Sequence, residues 1–248
     1  MEIFGPTIQG EGALIGQATH FVRFGGCGFR CSWCDSMYAV DATSVKEHGK
    51  MMSYKDVYNH LNKLPLVPWI TLSGGDPCLN KEMFAFDPRW KWAVETQGQF
   101  FPHWLHNVDL VTLSPKPPSS GMPFNWQTFS NGIFSVGLLP SEIVLKVVVV
   151  EGNEDDWDFA CTLAREFSNT PFYFQPMSPL VNKYISAKYR TEDIWHSYNW
   201  LCNKVLGSSV TTYRKAKTCV LPQLHTLAFI DGEASITQGL RVDIKERI

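Results

Sequence analysis

Short apolar runs alternate with helix-like polar stretches along most of the chain. Val144–Val150 is the clearest run, because it is apolar and β-branched almost throughout, as expected of a strand buried on both faces. Alternation of such runs with helical patterns is typical of parallel βα units, so the pattern predicts an α/β fold. The other predicted strands are Thr19–Phe24, Trp69–Ser73, Trp92–Thr96, Asp109–Ser114, Phe172–Gln175 and His225–Ile230.

Three stretches between the predicted strands carry helix signals. Ser53-Tyr54-Lys55-Asp56 has the pattern of a capping box, and Asn153 is a predicted helix cap. The segment Pro115–Pro140 is rich in Pro, Ser, Gly and Asn and predicts a long loop with one short helical piece. Loops of that length are uncommon and often functional. Helices are predicted over residues 53–64, 153–167 and 191–205.

Composition places the chain among globular proteins and excludes some partners. With 248 residues, 44% of them hydrophobic, one globular domain covering residues 1–248 is expected. A net charge of −2 and the absence of a basic run of five residues argue against nucleic acid as a partner. The start of the sequence does not resemble a signal peptide, and the longest apolar run is too short to cross a bilayer. We therefore expect no membrane partner and a cytoplasmic location.

The segment from Phe24 to Ser36, called the cysteine loop below, carries three cysteines with the spacing CxxxCxxC: Cys27, Cys31 and Cys34. Thiolates ligate iron–sulfur clusters, and three of them leave the fourth iron of a cubane cluster open to another ligand. A structural zinc site completed by a histidine, or three unliganded thiols, are the alternatives. The chain has seven cysteines, an odd number, and no export signal, so a metal role is favoured over disulfides.

With Trp33 directly before the last of these cysteines, the chain resembles the radical S-adenosylmethionine enzymes. The resemblance implies a 4Fe–4S cluster, S-adenosylmethionine bound at the open iron, and a partial (β/α) barrel of the radical S-adenosylmethionine type. In that superfamily, one electron from an external reductant such as flavodoxin leads to a 5′-deoxyadenosyl radical. Such chemistry belongs to the cofactor, which the protein positions.

Further motifs narrow the resemblance to the 7-carboxy-7-deazaguanine synthases. It implies a lyase that contracts the ring of 6-carboxy-5,6,7,8-tetrahydropterin, releases ammonia and serves 7-deazapurine (queuosine-type) biosynthesis. Members of this family are often homodimers, so a homodimer is expected. The motifs are Ile8-Gln9-Gly10-Glu11-Gly12, Ser73-Gly74-Gly75-Asp76-Pro77, Glu95-Thr96-Gln97-Gly98, Ser114-Pro115-Lys116-Pro117-Pro118-Ser119-Ser120-Gly121-Met122, Leu145-Lys146-Val147-Val148-Val149 and Leu221-Pro222-Gln223-Leu224-His225.

The family resemblance also implies which residues bind the cofactors. Cys27, Cys31 and Cys34 would hold the cluster, and Ser36 would ligate Mg²⁺, although the family commonly has Thr at this position. A simple turn is the alternative at Gly75, and a solvated charge is the alternative at Lys116. The expected cofactor-binding residues are Trp33, Cys34, Asp35, Gly75, Ser114, Pro115, Lys116, Gln175, Pro176, Met177 and Ser178.

A second set of residues is implied in substrate binding. Arg23 lies in an apolar strand, where a buried guanidinium needs an anion. The resemblance makes the substrate carboxylate its partner, and an internal ion pair with Glu11 or Glu95 is the alternative. Glu95 would accept hydrogen bonds from the pterin N–H edge, unless it makes a structural contact at a helix end. The expected substrate-binding residues are Ile8, Gln9, Gly10, Glu11, Arg23, Ser73, Glu95 and His225.

Two other functions stay open on the sequence alone. One is a different radical enzyme, such as an activase that acts on a glycyl site of another protein. The other is a non-enzymatic zinc-binding protein.

Overall fold

A computed structural model of the chain describes residues 2–137, 141–178 and 187–228, with the backbone alone for 187–190. Eight strands form one sheet in chain order, in which β1 is antiparallel to β2 and all later neighbours are parallel. In the described residues β1 and β8 are the two edges, so the sheet is open, as in a partial barrel. The strands are β1 (Glu2–Ile8), β2 (Ala18–Phe24), β3 (Trp69–Gly74), β4 (Lys91–Thr96), β5 (Leu110–Leu113), β6 (Glu142–Val149), β7 (Phe172–Pro176) and β8 (Thr218–Val220).

Helices connect the parallel strands, and two of them start at the caps that the sequence predicts. The side chains and backbone amides of Ser53 and Asp56 form a reciprocal capping box. The side chain of Asn153 accepts a hydrogen bond from the backbone N–H of Asp156 at 3.0 Å. The helices are α1 (Met37–Val40), α2 (Ala42–His48), α3 (Tyr54–Leu61), α4 (Trp126–Gly137), α5 (Glu154–Glu166), α6 (Ala187–Leu206), α7 (Val210–Tyr213) and α8 (Leu224–Ala228).

The two faces of the sheet are different in character. On the outer face, side chains such as Leu72, Val94 and Leu145 pack into the main apolar core together with residues of the helices. On the inner face, the loop between β1 and β2 folds back over the sheet, and its Leu14 packs on Ala93, Val144 and their neighbours. Because side chains alternate between faces along a strand, Glu95 and Lys146 project from this inner face.

Three expectations from the sequence are wrong. Residues 225–228 form part of the helix α8 rather than a strand, and 229–230 lie outside the described residues. A turn fixes the start of this helix, since the carbonyl of Gln223 accepts bonds from both the N–H and the hydroxyl of Thr226. The helix α4 has 12 residues and is therefore more than a short piece of the Pro115–Pro140 segment. The predicted start of α6 at Thr191 is four residues late.

Strands β1 and β8 were not expected. The strand β1 contains Gly5-Pro6 and a register shift between Phe4 and Thr7, features that hide a strand pattern. An edge strand tolerates proline because one side of its backbone needs no partner. Within the described ranges, none of the helices combines the length and the apolar character needed to span a membrane.

Candidate active site at the carboxyl edge of the sheet

Parallel strands bring the loops that follow them to one edge of the sheet. The cysteine loop follows β2, and the segment Ser114-Pro115-Lys116 follows β5. Gly74 is the last residue of β3, and Gly75 and Asp76 come directly after it. The segment before His225 follows β8 in the same way. All the motifs that the sequence singles out after parallel strands therefore meet at one edge.

The cysteine loop is fixed to the loop that follows β5. The backbone N–H of Ser32 donates to the carbonyl of Ser120 at 3.0 Å, and the Ser32 hydroxyl donates to the carbonyl of Ser119 at 2.8 Å. The indole N–H of Trp33 donates to the hydroxyl of Ser119 at 3.0 Å. Trp33 therefore serves at least to lock this loop in place.

The three cysteines of the loop are free thiols, of which Cys31 is buried and the other two are half-buried. Burial raises the pKa of each thiol, while the nearby Lys116 ammonium acts in the opposite direction. Among the described residues, one group of three acidic, histidine or cysteine side chains brings its ligand atoms within 4.8 Å of one another. It consists of Glu11, Asp35 and His225, and it contains none of these cysteines. Thiolates on one tetrahedral zinc ion would lie about 3.8 Å apart, given a Zn–S bond of ~2.3 Å. The three sulfurs therefore do not all lie within 4.8 Å of one another, and the loop as it stands does not form a closed zinc site.

The glycines after β3 allow close packing against the cysteine loop. A Cβ atom on Gly75 would lie 1.9 Å from the carbonyl oxygen of Gly26, and Gly74 has a φ of +124°. The backbone N–H of Asp76 also donates to the Gly26 carbonyl, at 2.8 Å. Gly75 is therefore more than part of a simple turn, because its missing side chain lets the two loops touch.

The carboxylate of Asp76 is buried beneath these loops. Its Oδ1 accepts hydrogen bonds from the Thr96 hydroxyl at 2.8 Å and from the backbone N–H of Cys78 at 3.0 Å. No donor among the described residues reaches its buried Oδ2. Burial raises the pKa of this carboxyl in spite of its hydrogen bonds. An acceptor in this position suits a ligand that carries a positive charge or an N–H donor.

A group of polar side chains, called the inner cluster below, lies on the inner face of the sheet. The Lys146 ammonium contacts the carboxylate of Glu11 directly and lies 3.8 Å from Oε1 of Glu95. The amide of Gln9 donates to Glu95 at 3.1 Å. Nε2 of His225 lies 3.9 Å from Oε1 of Glu11. Gln223 completes the inner cluster by donating to Glu11 at 2.5 Å.

Burial and charge act against each other in the inner cluster. Burial raises the pKa of Glu11, but the Lys146 and His225 charges outweigh it and lower this pKa to about 2. For Glu95 burial dominates, and the neighbouring Glu11 also acts in that direction, so its pKa is raised although Lys146 opposes the shift. The pKa of Lys146 is raised, because the two carboxylates outweigh its desolvation. Lys146 is therefore the cation on which both carboxylates depend.

Arg23 forms an ion pair that the sequence did not predict. Its guanidinium lies 3.2 Å from the carboxylate of Glu2 and contacts the Tyr38 hydroxyl, rather than pairing with Glu11 or Glu95. It also stacks over the Phe4 ring at 4.8 Å. Its buried Nε has no partner among the described residues. The guanidinium therefore keeps a donor for a further anion.

The remaining predicted cofactor residues lie along the same edge. The Ser36 hydroxyl donates to the Asp35 carboxylate at 2.7 Å. The Lys116 ammonium donates to the Ser114 hydroxyl at 3.3 Å and lies 6.0 Å from the centre of the Trp33 ring, so Lys116 is not merely a solvated charge. Pro115, which lies between Ser114 and Lys116 in the chain, is buried.

The predicted cofactor residues at the end of β7 and the predicted substrate residue Ile8 do not take part in the hydrogen bonds described above. Gln175 and Pro176 end β7, followed by Met177 and Ser178, and the Gln175 side-chain oxygen is buried without a partner in the described chain. Ile8 is 45% exposed at the end of β1.

Two predicted substrate residues act through the backbone or the sheet register. Gly10 lies directly against His225, since a Cβ atom there would be 2.2 Å from the histidine ring. Its carbonyl also accepts a hydrogen bond from the N–H of Leu224 at 2.8 Å. Ser73 pairs with Arg23 in the register of β2 and β3.

The comparison with curated proteins decides the family. No protein-family model matches the chain. It is 36% identical over 234 residues to the 7-carboxy-7-deazaguanine synthase of Bacillus subtilis (strain 168), covering 92% of this chain and 94% of that protein. The synthase of Bacillus cereus is 34% identical over 92% of this chain and 95% of its own length. The chain belongs to the 7-carboxy-7-deazaguanine synthase family.

Solved structures agree on the fold of this synthase-family chain. QueE from Escherichia coli superposes with a TM-score of 0.55 at 18% identity, covering 90% of this chain and 92% of that one. Streptococcus suis SuiB bound to S-adenosylmethionine gives a TM-score of 0.53 at 13% identity, over 82% of this chain and 49% of its own. The predicted family and the predicted fold class are thereby confirmed.

Several side chains of this site had no predicted binding role, among them Asp76, Gln223, Lys146 and Tyr38. Lys146 lies in one of the family motifs without a predicted role, yet a lysine in the middle of a buried strand is itself a signal for an internal anion. Tyr38 carries no motif, because its contact with Arg23 arises only from the folding of α1 over the end of β2.

Proposed function

We propose that this chain converts 6-carboxy-5,6,7,8-tetrahydropterin into 7-carboxy-7-deazaguanine with loss of ammonia, acting as a radical S-adenosylmethionine lyase. This is the activity predicted from the sequence, and membership of the family confirms synthesis of 7-carboxy-7-deazaguanine. The observation that carries the detailed proposal is a pair of half-buried carboxylates on the inner face of the sheet that holds the cysteine loop: Glu11 from the loop between β1 and β2, and Glu95 from β4.

The residues present fit the cofactors that the family uses. Bound together, a 4Fe–4S cluster and S-adenosylmethionine supply a 5′-deoxyadenosyl radical. Cys27, Cys31 and Cys34 would hold the cluster, since they are three free thiols within one short loop. The unpartnered Oδ2 of Asp76 and the unpartnered side-chain oxygen of Gln175 are buried acceptors at the strand ends. They suit the amino group and the adenine edge of S-adenosylmethionine, which SuiB holds on the same fold.

The inner cluster suits the pterin ring. Pterin presents adjacent N–H donors on one edge, and ionised carboxylates accept such bonds in pairs. Glu11 and Glu95 would take this edge, with Gln9 at their side. Arg23 would bind the substrate carboxylate through the donors that Glu2 and Tyr38 leave free. Desolvation of these groups strengthens each of the interactions.

Three further features belong to the proposal. Ser36, with its hydroxyl beside the Asp35 carboxylate, would contribute an oxygen ligand to Mg²⁺. An external one-electron donor such as flavodoxin would reduce the cluster. The chain would work as a homodimer.

Anaerobic turnover tests the function. Protein reconstituted with iron and sulfide, given S-adenosylmethionine, Mg²⁺, a reductant and the carboxy-tetrahydropterin, should release product with the mass of 7-carboxy-7-deazaguanine. Cys34→Ala should abolish both the bound iron and the product. Cys161→Ala, a half-buried thiol away from the loop, is the matched control and should keep both. An iron-loaded wild-type protein that forms no product would refute the proposal.

A further inference from the structure

Lys146 occupies an unusual place for a lysine. It lies in the middle of β6, between neighbours that are fully buried, and its own side chain is only 6% exposed. A lysine that loses its hydration without gaining an anion deprotonates or destabilises the fold. The two carboxylates described above supply that anion, and they come from different parts of the chain.

The contacts of Lys146 join three elements. Glu11 belongs to the loop between β1 and β2, and Glu95 belongs to β4, two strands away from β6. Gly12 lies over the lysine stem, since a Cβ atom there would be 3.7 Å from its Cδ atom. Gly12 has a φ of +61°, so glycine allows the loop to turn at this point. Lys146 thus holds the loop down on the sheet as well as pairing the carboxylates.

One cation is shared by two carboxylates in this arrangement. Two close, buried carboxylates do not both stay ionised on their own, because each disfavours the charge of the other. A protonated carboxyl group would turn one acceptor into a donor, which is the wrong partner for an N–H group. The charge of Lys146 therefore decides whether both carboxylates of the inner cluster can accept hydrogen bonds from an N–H group.

Building on the proposed function, we propose that Lys146 is a positioning residue for the substrate: its ammonium group holds Glu11 and Glu95 side by side as ionised acceptors for the N–H edge of the pterin. It does so without touching the reacting atoms.

Other charged groups around the inner cluster do not replace Lys146. His225 faces Glu11 from α8, and its influence on both carboxylates depends on its own protonation. Arg23 on β2 is paired with Glu2. Lys116 lowers the pKa of Glu95 less than Lys146 does. Asp35 of the cysteine loop adds further negative charge near Lys146.

The test compares Lys146→Met with Lys146→Arg in the reconstituted protein with S-adenosylmethionine bound and no reductant present. Binding of the carboxy-tetrahydropterin is measured by calorimetry between pH 5.5 and 9. Lys146→Met should bind about 10- to 100-fold more weakly near neutral pH, as expected for the loss of charge-assisted hydrogen bonds. The pH below which affinity is lost should lie higher than in the wild type. Lys146→Arg should keep the wild-type midpoint, even if its larger side chain lowers the melting temperature.

Controls separate this role from a structural one. Lys91→Met removes an exposed lysine from β4, the strand that carries Glu95, and should change neither affinity nor midpoint. If Lys146→Met does not fold, Lys146→Gln takes its place, because it removes the charge but keeps a hydrogen-bond donor toward the carboxylates, and its midpoint should likewise lie above that of the wild type. An unchanged midpoint in the folded Met variant would overturn the inference. Loss of substrate and S-adenosylmethionine binding in equal measure would do the same. Neither result touches the proposed function, which depends on product formation by the wild type.

Discussion

The carboxylate of Asp156 fixes the cysteine loop from a distance, and removing its charge should loosen that loop. Asp156 is fully buried at the start of α5. Its Oδ1 accepts from the N–H of Ser119 at 2.9 Å, and its Oδ2 accepts from the Ser119 hydroxyl at 2.6 Å and the N–H of Val150 at 3.1 Å. Ser119 in turn holds Trp33 and Ser32 of the cysteine loop. The chain of contacts runs from α5 to the cysteines.

The substitution Asp156→Asn keeps the shape but makes the hydrogen bonding wrong. The carboxylate accepts three bonds from three donors, and an amide has one oxygen and places an NH₂ group against donors that need acceptors. A hydrogen bond to a charged group contributes about 1.5–3 kcal/mol, and leaving buried donors unsatisfied costs a similar amount. Part of this is recovered by rotation of the amide, so we expect a loss of about 2–4 kcal/mol in the free energy of unfolding. For a chain of this size that lowers the melting temperature by roughly 5–15 °C.

The assay measures two quantities on the same preparation. Thermal unfolding reports the stability, and iron per chain after anaerobic reconstitution reports the order of the cysteine loop. Both should fall in Asp156→Asn. The matched control is Asp155→Asn, which removes the same charge from the first turn of the same helix at an exposed position. If both variants melt at the same temperature and load the same amount of iron, the chain of contacts through Ser119 has no role in holding the loop.

Two further predictions concern the candidate site. Ser36→Ala should leave the iron content unchanged and reduce Mg²⁺-dependent turnover, whereas Ser36→Thr should be tolerated; full Mg²⁺ dependence in the Ala variant would exclude a ligand role. Arg23→Lys should weaken substrate binding about 10- to 150-fold through loss of the bidentate geometry, with S-adenosylmethionine binding intact. Tyr38→Phe removes a contact of the same guanidinium but keeps its charge, so a lower melting temperature with normal substrate affinity in both variants would favour a purely structural role.

Local patterns were enough for much of the fold. The capping box at Ser53 and the cap at Asn153 are formed as predicted, because such caps depend on residues three positions apart. The parallel strands β2 to β7 were found because each contains a short, mainly apolar run. The strand β1 was missed because Gly5-Pro6 interrupts its pattern, and the predicted strand at His225 is a helix because a turn at Gln223 sets its start.

The ligand chemistry of the cysteine loop can be predicted from the sequence. Three thiols within eight residues lie near one another in any fold, so their spacing favours a metal centre over three unliganded thiols. Which residues complete the site is a different matter. Glu11, Glu95 and Lys146 are separated by up to 135 positions, and no local pattern relates them. Their meeting depends on the order of the strands and on the face to which each side chain points.

The α/β class and the cysteine loop could be predicted from the sequence, since each depends on residues that are close along the chain, and the motifs at the strand ends indicated the family. The partner of Arg23 could be identified in the folded sheet alone: it is Glu2, across an antiparallel strand pair that the sequence pattern does not show. The tertiary structure alone also placed Lys146 between two carboxylates. The physical reason is that a buried charge is stabilised by whichever opposite charge the fold brings within a few ångströms, and that distance is a property of the packed sheet rather than of any segment.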